Sequence, residues 1–84
     1  MFYVYVLKSY KDGSFYIGYT EDLKKRVKEH QEGRSKATKF RKPYKLIYYE
    51  AFLNIKDAKR RELYLKSGWG WRSLRKMLKN FLAT

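Results

Sequence analysis

Acidic residues are scarce in this sequence of 84 residues, and cysteine is absent. Eight Asp and Glu residues stand against 21 Lys and Arg residues, which gives a formal net charge of +13. Without cysteine, neither a disulfide nor a thiolate metal site can stabilise the fold. A chain this short forms one domain, residues 1–84, whose core depends on apolar and aromatic packing.

Long apolar runs are also missing. The N-terminal run Phe2–Leu7 is too short for an export signal or a membrane span, which predicts a cytoplasmic protein without a membrane partner. The positive charge repels itself within a small domain and favours an anionic partner. Nucleic acid is the commonest such partner for a small basic domain, and an acidic protein or the ribosome is a weaker alternative.

The pattern of apolar and turn residues predicts an α+β domain of order ββαβαα. The almost continuously apolar segment 2–8 indicates a central strand that is buried on both faces. The remaining elements are a strand over 15–19, a helix from about 21 to 31, a strand over 45–52, a helix from about 55 to 67 and a last amphipathic helix that ends near residue 81. Together they predict a three-stranded antiparallel sheet flanked by about three helices.

The turn between the first two strands decides which of their residues share a face. If Asp12 and Gly13 alone form the loop, Tyr16 lies opposite Ser9, and Tyr5 lies on the same side of the sheet. A pairing shifted by two positions brings the two tyrosines closer. A pairing shifted by one position puts them on opposite faces.

The first helix carries ionisable residues on the face that faces the core. Thr20 is the expected N-cap, followed by two acidic residues in the first turn. At about 100° per residue, Leu23, Val27 and His30 share an arc of about 60°, with Arg26 at its edge. The single histidine and one arginine are therefore expected near the core.

The second long helix has an acidic residue in its apolar stripe. Ile55, Ala58 and Leu65 form the stripe, and Glu62 lies in its middle. Burial of a lone charge is costly, so Glu62 requires a cationic partner or a metal ion. The other acidic residues have turn, cap or surface positions, with Glu50 as the one further candidate.

These residue types supply the parts that phosphodiester cleavage needs. Arg26 can donate two N–H groups to phosphate oxygens, and His30 has a pKa suited to proton transfer. Glu62 can hold Mg²⁺, which needs only one or two carboxylates, and the shortage of acidic residues favours one metal ion over two. A closed Arg26–Glu62 ion pair without a metal is the alternative.

Taken in order along the chain, these residues resemble the signature of the GIY-YIG nuclease family. Tyr3–Val4–Tyr5, then ten residues, then Tyr16–Ile17–Gly18 is similar to its two halves, although Tyr3 and Val4 replace the glycine and isoleucine of the first half. The further matching positions are Thr20, Leu23, Arg26, His30, Gly33, Pro43, Leu46, Tyr49, Ala58, Glu62 and Lys66. The chain looks most like the short bacterial members that consist of this domain alone.

The resemblance implies a role for the residues of the two strands. Tyr5 and Tyr16 would position or deprotonate the attacking water. Gly18 would allow a close approach of the backbone to nucleic acid. The family fold, a three-stranded antiparallel sheet with flanking helices, agrees with the pattern of elements.

The resemblance also assigns the ionisable residues of the two helices. Arg26 would stabilise the transition-state phosphate, and His30 would relay a proton or act as the base in place of a tyrosine. Glu62 would hold a single Mg²⁺ or Mn²⁺ ion, and no small-molecule cofactor is expected. DNA is a more suitable substrate than RNA under this resemblance.

The basic connection 34–43 is the expected contact with the nucleic-acid backbone. Its candidate binding residues are Lys36, Lys39, Arg41 and Lys42. Trp69 and Trp71 either cover the core or stack on bases. The sequence thus predicts a divalent-metal-dependent endonuclease that acts on DNA in repair or recombination, with structure-selective cleavage as one form. The alternative is a non-catalytic module that binds DNA or RNA in the same basic groove.

Overall fold

The computed structural model describes residues 1–84 and contains the elements in the predicted order. They are β1 (Phe2–Ser9), β2 (Phe15–Thr20), α1 (Leu23–Gln31), β3 (Tyr44–Phe52), α2 (Ile55–Lys66), α3 (Gly68–Met77) and α4 (Lys79–Leu82). The three strands form one antiparallel sheet of order β2-β1-β3. The predicted α+β class is confirmed, and the last predicted helix is divided at Leu78 into α3 and the single turn α4.

Helices cover both faces of the sheet, and each face has its own core cluster. On one face, α2 and α3 pack on the strands through Val4, Val6, Ile17, Ala58, Leu65 and Leu74. On the other face, α1 packs near a second cluster of Tyr5, Leu7 and Tyr44. The central strand is buried on both faces, as predicted, because residues Val4–Leu7 are at most 1% exposed. None of the helices is both long and apolar enough to span a membrane.

The hairpin takes the second of the pairings that the sequence left open. Tyr16 pairs with Leu7 rather than with Ser9, so the loop is longer than Asp12–Gly13 and the pairing is shifted by two positions. The longer loop is stabilised by local side chains: Ser9 Oγ accepts from the Lys11 amide at 3.1 Å, and Asp12 Oδ1 accepts from the Ser14 amide at 2.9 Å. The two-position shift keeps Tyr16 on the Tyr5 face of the sheet.

The start of α1 also differs from the prediction. The N-cap is Asp22, whose carboxylate accepts from the Lys25 amide at 3.1 Å, and no acidic residue lies in the first turn. Thr20 ends β2 instead, and its hydroxyl accepts from the Asp22 amide at 3.1 Å. Because β2 extends to Thr20, one residue further than predicted, the chain turns within two residues before α1 begins at Leu23.

The helix α2 buries a narrower stripe than the sequence predicts. Ala58 and Leu65 are fully buried, whereas Ile55 is 43% exposed. Ser67 caps both the end of α2 and the start of α3. Its amide donates to the Tyr64 carbonyl at the end of α2, and its hydroxyl accepts from the Gly70 amide of α3 at 3.2 Å. The break predicted at this position is therefore present, and it allows α3 to fold back on α2.

Candidate active site

Two tyrosines and a glycine lie together at the β2 edge of the sheet. Tyr5 pairs with Gly18, and the ring centroids of Tyr5 and Tyr16 are 6.3 Å apart. A Cβ atom on Gly18 would overlap the hydroxyl end of Tyr5 and approach Tyr16 Cε2 at 3.0 Å. Glycine is therefore needed at position 18 because the Tyr5 ring lies across β2 there and leaves no room for a side chain.

His30 connects this pair to the helix α1 and to the basic connection. Its side chain is fully buried, with Nε2 2.7 Å from the Tyr5 hydroxyl and Nδ1 2.7 Å from the Thr38 hydroxyl. The His30 ring centroid lies 5.0 Å from that of Tyr16. The sequence does not single out Thr38, because nothing in a basic loop distinguishes a threonine that becomes buried from one that is solvated.

Burial holds both partners of the Tyr5–His30 hydrogen bond in their neutral forms at pH 7. It raises the pKa of Tyr5 to about 12, and the neighbouring Tyr16 hydroxyl acts in the same direction. Burial, together with the Arg26 charge, lowers the pKa of His30 to about 4. A neutral imidazole has one N–H donor and one acceptor nitrogen, so Tyr5, His30 and Thr38 form a hydrogen-bonded chain along which a proton can be exchanged.

Arg26 lies beside the same cluster, half-buried at the edge of α1. Its Nη1 donates to Glu29 Oε1 at 3.1 Å. The guanidinium charge opposes the burial-driven rise in the pKa of Tyr5. The alternative Arg26–Glu62 ion pair is not formed, because Arg26 pairs with Glu29 and Glu62 pairs with Lys66.

Glu62 lies on α2, which packs on the other face of the sheet. Its side chain is 16% exposed, and Oε2 accepts from Lys66 Nζ at 2.9 Å, whereas no hydrogen bond or ion pair joins Glu62 to Tyr5, Tyr16, Arg26 or His30. Burial is the main cause of the raised pKa of Tyr5, and the Glu62 charge adds a smaller effect in the same direction. Burial, followed by the charges of Glu21 and Glu62, also raises the pKa of Tyr19. The Tyr19 hydroxyl is buried without a hydrogen-bond partner, a feature that the sequence did not indicate.

Glu50, the other acidic candidate, has a structural role. Arg61 donates to its two oxygens at 2.8 and 2.9 Å, and the Tyr48 hydroxyl donates to Oε2 at 2.5 Å. This network joins β3 to α2 and occupies the Glu50 carboxylate completely. Glu62 is less completely engaged than Glu50, because its one ion-pair partner, Lys66, contacts only Oε2.

The basic connection between α1 and β3 is exposed but attached to the β1–β2 hairpin. Ser9 Oγ donates to the Arg41 carbonyl at 2.6 Å, and the Tyr10 amide donates to the Pro43 carbonyl at 2.8 Å. Arg41 Nε also lies 3.6 Å from Asp12 Oδ2. All four predicted binding residues are exposed: Lys36, Lys39, Arg41 and Lys42.

The two tryptophans have different surroundings. Trp71 stacks on Phe15 with ring centroids 5.4 Å apart and so covers one end of the core. Trp69 is 69% exposed, and the Arg72 guanidinium lies 5.3 Å from its ring centroid. Trp71 therefore covers the core, which was one of the two predicted alternatives, whereas the exposed Trp69 does not decide between core covering and base stacking.

Comparison with known proteins gives consistent matches over most of the chain. Residues 1–69 match the family model described as the GIY-YIG catalytic domain. The chain is 49% identical over 67 residues to a UPF0213 protein of Clostridium perfringens, which covers 79% of this chain and 71% of that protein. It is 48% identical over 65 residues to the UPF0213 protein YazA of Bacillus subtilis, which covers 76% of this chain and 65% of YazA.

The fold is also similar to a solved structure. A solution NMR structure of a UPF0213 protein from Bacillus halodurans is 38% identical in sequence, with a TM-score of 0.58. The alignment covers 92% of this chain and 85% of that chain. The arrangement of sheet and helices is thus shared with a short protein of similar sequence.

Proposed function

This chain belongs to the GIY-YIG family of nuclease domains, and we propose that it is a divalent-metal-dependent endonuclease that hydrolyses phosphodiester bonds in DNA. The observation that carries the proposal is the convergence of four side chains at the β2 edge: Tyr5, Tyr16, Arg26 and His30. The formal charge of +13 supports an anionic polymer as the substrate. Branched or nicked DNA, as formed in repair and recombination, is the substrate class that we propose.

We assign the water-facing role to Tyr16. Tyr5 is 1% exposed and its hydroxyl is engaged by His30, whereas Tyr16 is only partly buried. A neutral Tyr5 with a raised pKa is a poor base, but it is well suited to fix His30 and to pass on a proton. The attacking water would thus meet Tyr16, with the Tyr5–His30–Thr38 chain behind it.

Arg26 is assigned to the scissile phosphate. One of its N–H groups is used by Glu29, and the guanidinium retains further donors for phosphate oxygens. Because its side chain is 34% exposed, a phosphate can reach it from solvent. Positive charge held in advance at this position stabilises the charge that develops on the phosphate during cleavage.

The residues around Glu62 fit a single hydrated Mg²⁺ or Mn²⁺ ion. Glu62 would supply one hard oxygen ligand through Oε1, which Lys66 does not contact, and the buried, unpartnered Tyr19 hydroxyl would be available to a bound water. No group of three or more His, Asp or Glu side chains is available to build a two-metal site. Such an ion acts as a Lewis acid on phosphate oxygens and increases the acidity of water.

The test is cleavage of supercoiled plasmid, single-stranded DNA and branched DNA, with Mg²⁺ or with a chelator. The wild type is expected to nick DNA only with the metal, and Glu62→Gln and Arg26→Ala are each expected to reduce the rate by at least about 100-fold. Both variants are expected to retain DNA binding, because the exposed basic connection is unchanged.

Matched variants control for general effects of the substitutions. Glu32→Gln removes an exposed carboxylate that pairs with Arg34, and Arg60→Ala removes another arginine that pairs with an acidic residue three positions away. Both are expected to cut like the wild type. Metal-independent binding without cleavage of any substrate would refute the nuclease proposal and support the alternative, a module that binds DNA or RNA without turnover.

A further inference from the structure

The helix α1 separates two surfaces on one face of the sheet. At about 100° per residue, Arg26 and His30 lie on one side of the helix, whereas Lys24 and Lys28 lie on the other. The first side borders the tyrosine cluster at the β2 edge. The second side borders a groove of about 710 Å³ between α1 and β3, which we call the α1–β3 groove.

Aromatic and aliphatic side chains form the floor of the α1–β3 groove. Tyr3 of β1 and Tyr49 of β3 meet edge to face, with ring centroids 6.2 Å apart. Tyr49 is 53% exposed although it lies on a sheet face that α1 partly covers. Leu23, Val27 and Leu46 complete the apolar lining. The volume is within the range of about 300–1,000 Å³ that is typical of ligand pockets.

The rim of the groove carries charges that suit a nucleotide. Neither Lys24 nor Lys28 takes part in an ion pair, so both ammonium groups are available for phosphate. The Asp22 carboxylate also lies at the rim, where its Oδ1 accepts from the Lys25 amide at 3.1 Å. The Glu21 carboxylate remains an acceptor, which suits the amino group of a base.

We propose that the α1–β3 groove binds an unpaired nucleotide of the DNA substrate, with its base against Tyr49 and its phosphate at Lys24 and Lys28. This inference rests on the proposed function, since it concerns the substrate of the same domain. An exposed tyrosine ring binds any base by stacking, which requires that the base has left its duplex. The charge of +13 favours this occupant over a neutral or basic peptide.

The position of the groove predicts which DNA structures the domain prefers. Tyr49 on the groove floor is the register partner of Tyr5, so the groove adjoins the tyrosine cluster on the same face of the sheet. A strand that crosses α1 can place one unpaired nucleotide in the groove while a nearby phosphate reaches Arg26. The domain then selects single-stranded or branched DNA over a fully paired duplex.

The test measures binding separately from cleavage, in a chelator and at one fixed salt concentration. The probes are a single-stranded oligonucleotide with the fluorescent base 2-aminopurine, a forked DNA and a blunt duplex of the same sequence. Tyr49→Ala is expected to weaken binding of the single strand by roughly 10-fold, the effect of one lost base stack, and to remove the quenching of 2-aminopurine. Tyr49→Phe keeps an aromatic ring and is expected to retain the wild-type affinity for the single strand and the quenching of 2-aminopurine.

Two controls isolate the groove from general effects of surface change. Tyr10→Ala removes a tyrosine of similar exposure, 52%, from the hairpin tip, and Lys76→Ala removes an exposed lysine of α3 that does not line the groove. Both controls are expected to leave the preference for the single strand unchanged. Thermal unfolding of each variant verifies that the fold is intact.

Several results would overturn the inference. They are an unchanged single-strand affinity in Tyr49→Ala, an equal loss on single strand and duplex, or a dimer of the wild type that Tyr49→Ala dissociates without an effect on DNA. The last result would assign the groove to a second copy of this chain. If the wild type bound no nucleic acid at all, the proposed function would fail as well. If it preferred the single strand but never cut DNA, only the proposed nuclease activity would fail.

Discussion

The buried histidine makes a quantitative prediction about stability in mild acid. The pKa of His30 is lowered from 6.5 to about 4 by burial and by the nearby Arg26 charge. The unfolded chain therefore takes up a proton first as the pH falls, so stability that is present above pH 6.5 is lost progressively toward pH 4. One pKa unit corresponds to about 1.4 kcal/mol, so the full effect is ~3 kcal/mol.

At about pH 5, roughly 2 kcal/mol of this stability is already lost, which is a substantial part of the 5–15 kcal/mol that is typical of a folded protein. Urea denaturation at steps between about pH 7.5 and pH 5 measures this loss directly. Most carboxylates titrate below this window, so the histidine dominates the slope.

A variant without an ionisable ring provides the control. His30→Gln keeps one donor and one acceptor but cannot titrate, so its free energy of unfolding is expected to be nearly constant over the same window. Because the chain contains one histidine, proton NMR follows the ring without ambiguity. An imidazole that titrates near pH 6.5 in the folded protein, or equal slopes in the two proteins, would refute the argument from burial.

Two further substitutions test the contacts around His30. Gly18→Ala places a methyl group against the Tyr5 ring and is expected to destabilise the fold by about 1–3 kcal/mol and to reduce cleavage; an unchanged urea midpoint would show that the ring has room to move. Thr38→Val keeps the shape but leaves a polar ring nitrogen without its partner, at an expected cost of about 1–3 kcal/mol, and it is expected to shift the pH profile of cleavage. A profile identical to that of the wild type would remove Thr38 from the proton chain.

The fold was predictable because its signals are local. The buried strand at 2–8, the turn residues and the helical spacing of apolar residues each depend on neighbours in sequence. The details that the pattern left open or assigned to the wrong residue lie where a short polar side chain redirects the backbone. Ser9 and Asp12 lengthened the hairpin loop, and Asp22 replaced Thr20 as the N-cap of α1.

The candidate site was predictable only in part, for a related reason. Helical spacing correctly placed His30 near the core, and the hairpin placed Tyr16 on the same face as Tyr5. The burial of Thr38 and the unpartnered hydroxyl of Tyr19 depend on contacts between distant segments. No pattern within either segment encodes such contacts. The ion pair of Glu62 is different, because Lys66 lies four residues further along the same helix and this local spacing could have predicted the pair.

The hydrogen bonds that join the basic connection to the hairpin reduce the conformational entropy that this segment would lose on binding a polyanion. A loose basic arm must surrender its backbone freedom when it binds, at about 1–2 kcal/mol for each residue that becomes fixed. Here the Arg41 and Pro43 carbonyls are already fastened to Ser9 and Tyr10, so that entropy is lost during folding. The spacing of the lysines is set before any partner arrives, and the segment behaves as a rigid template rather than as a tail that wraps around its target.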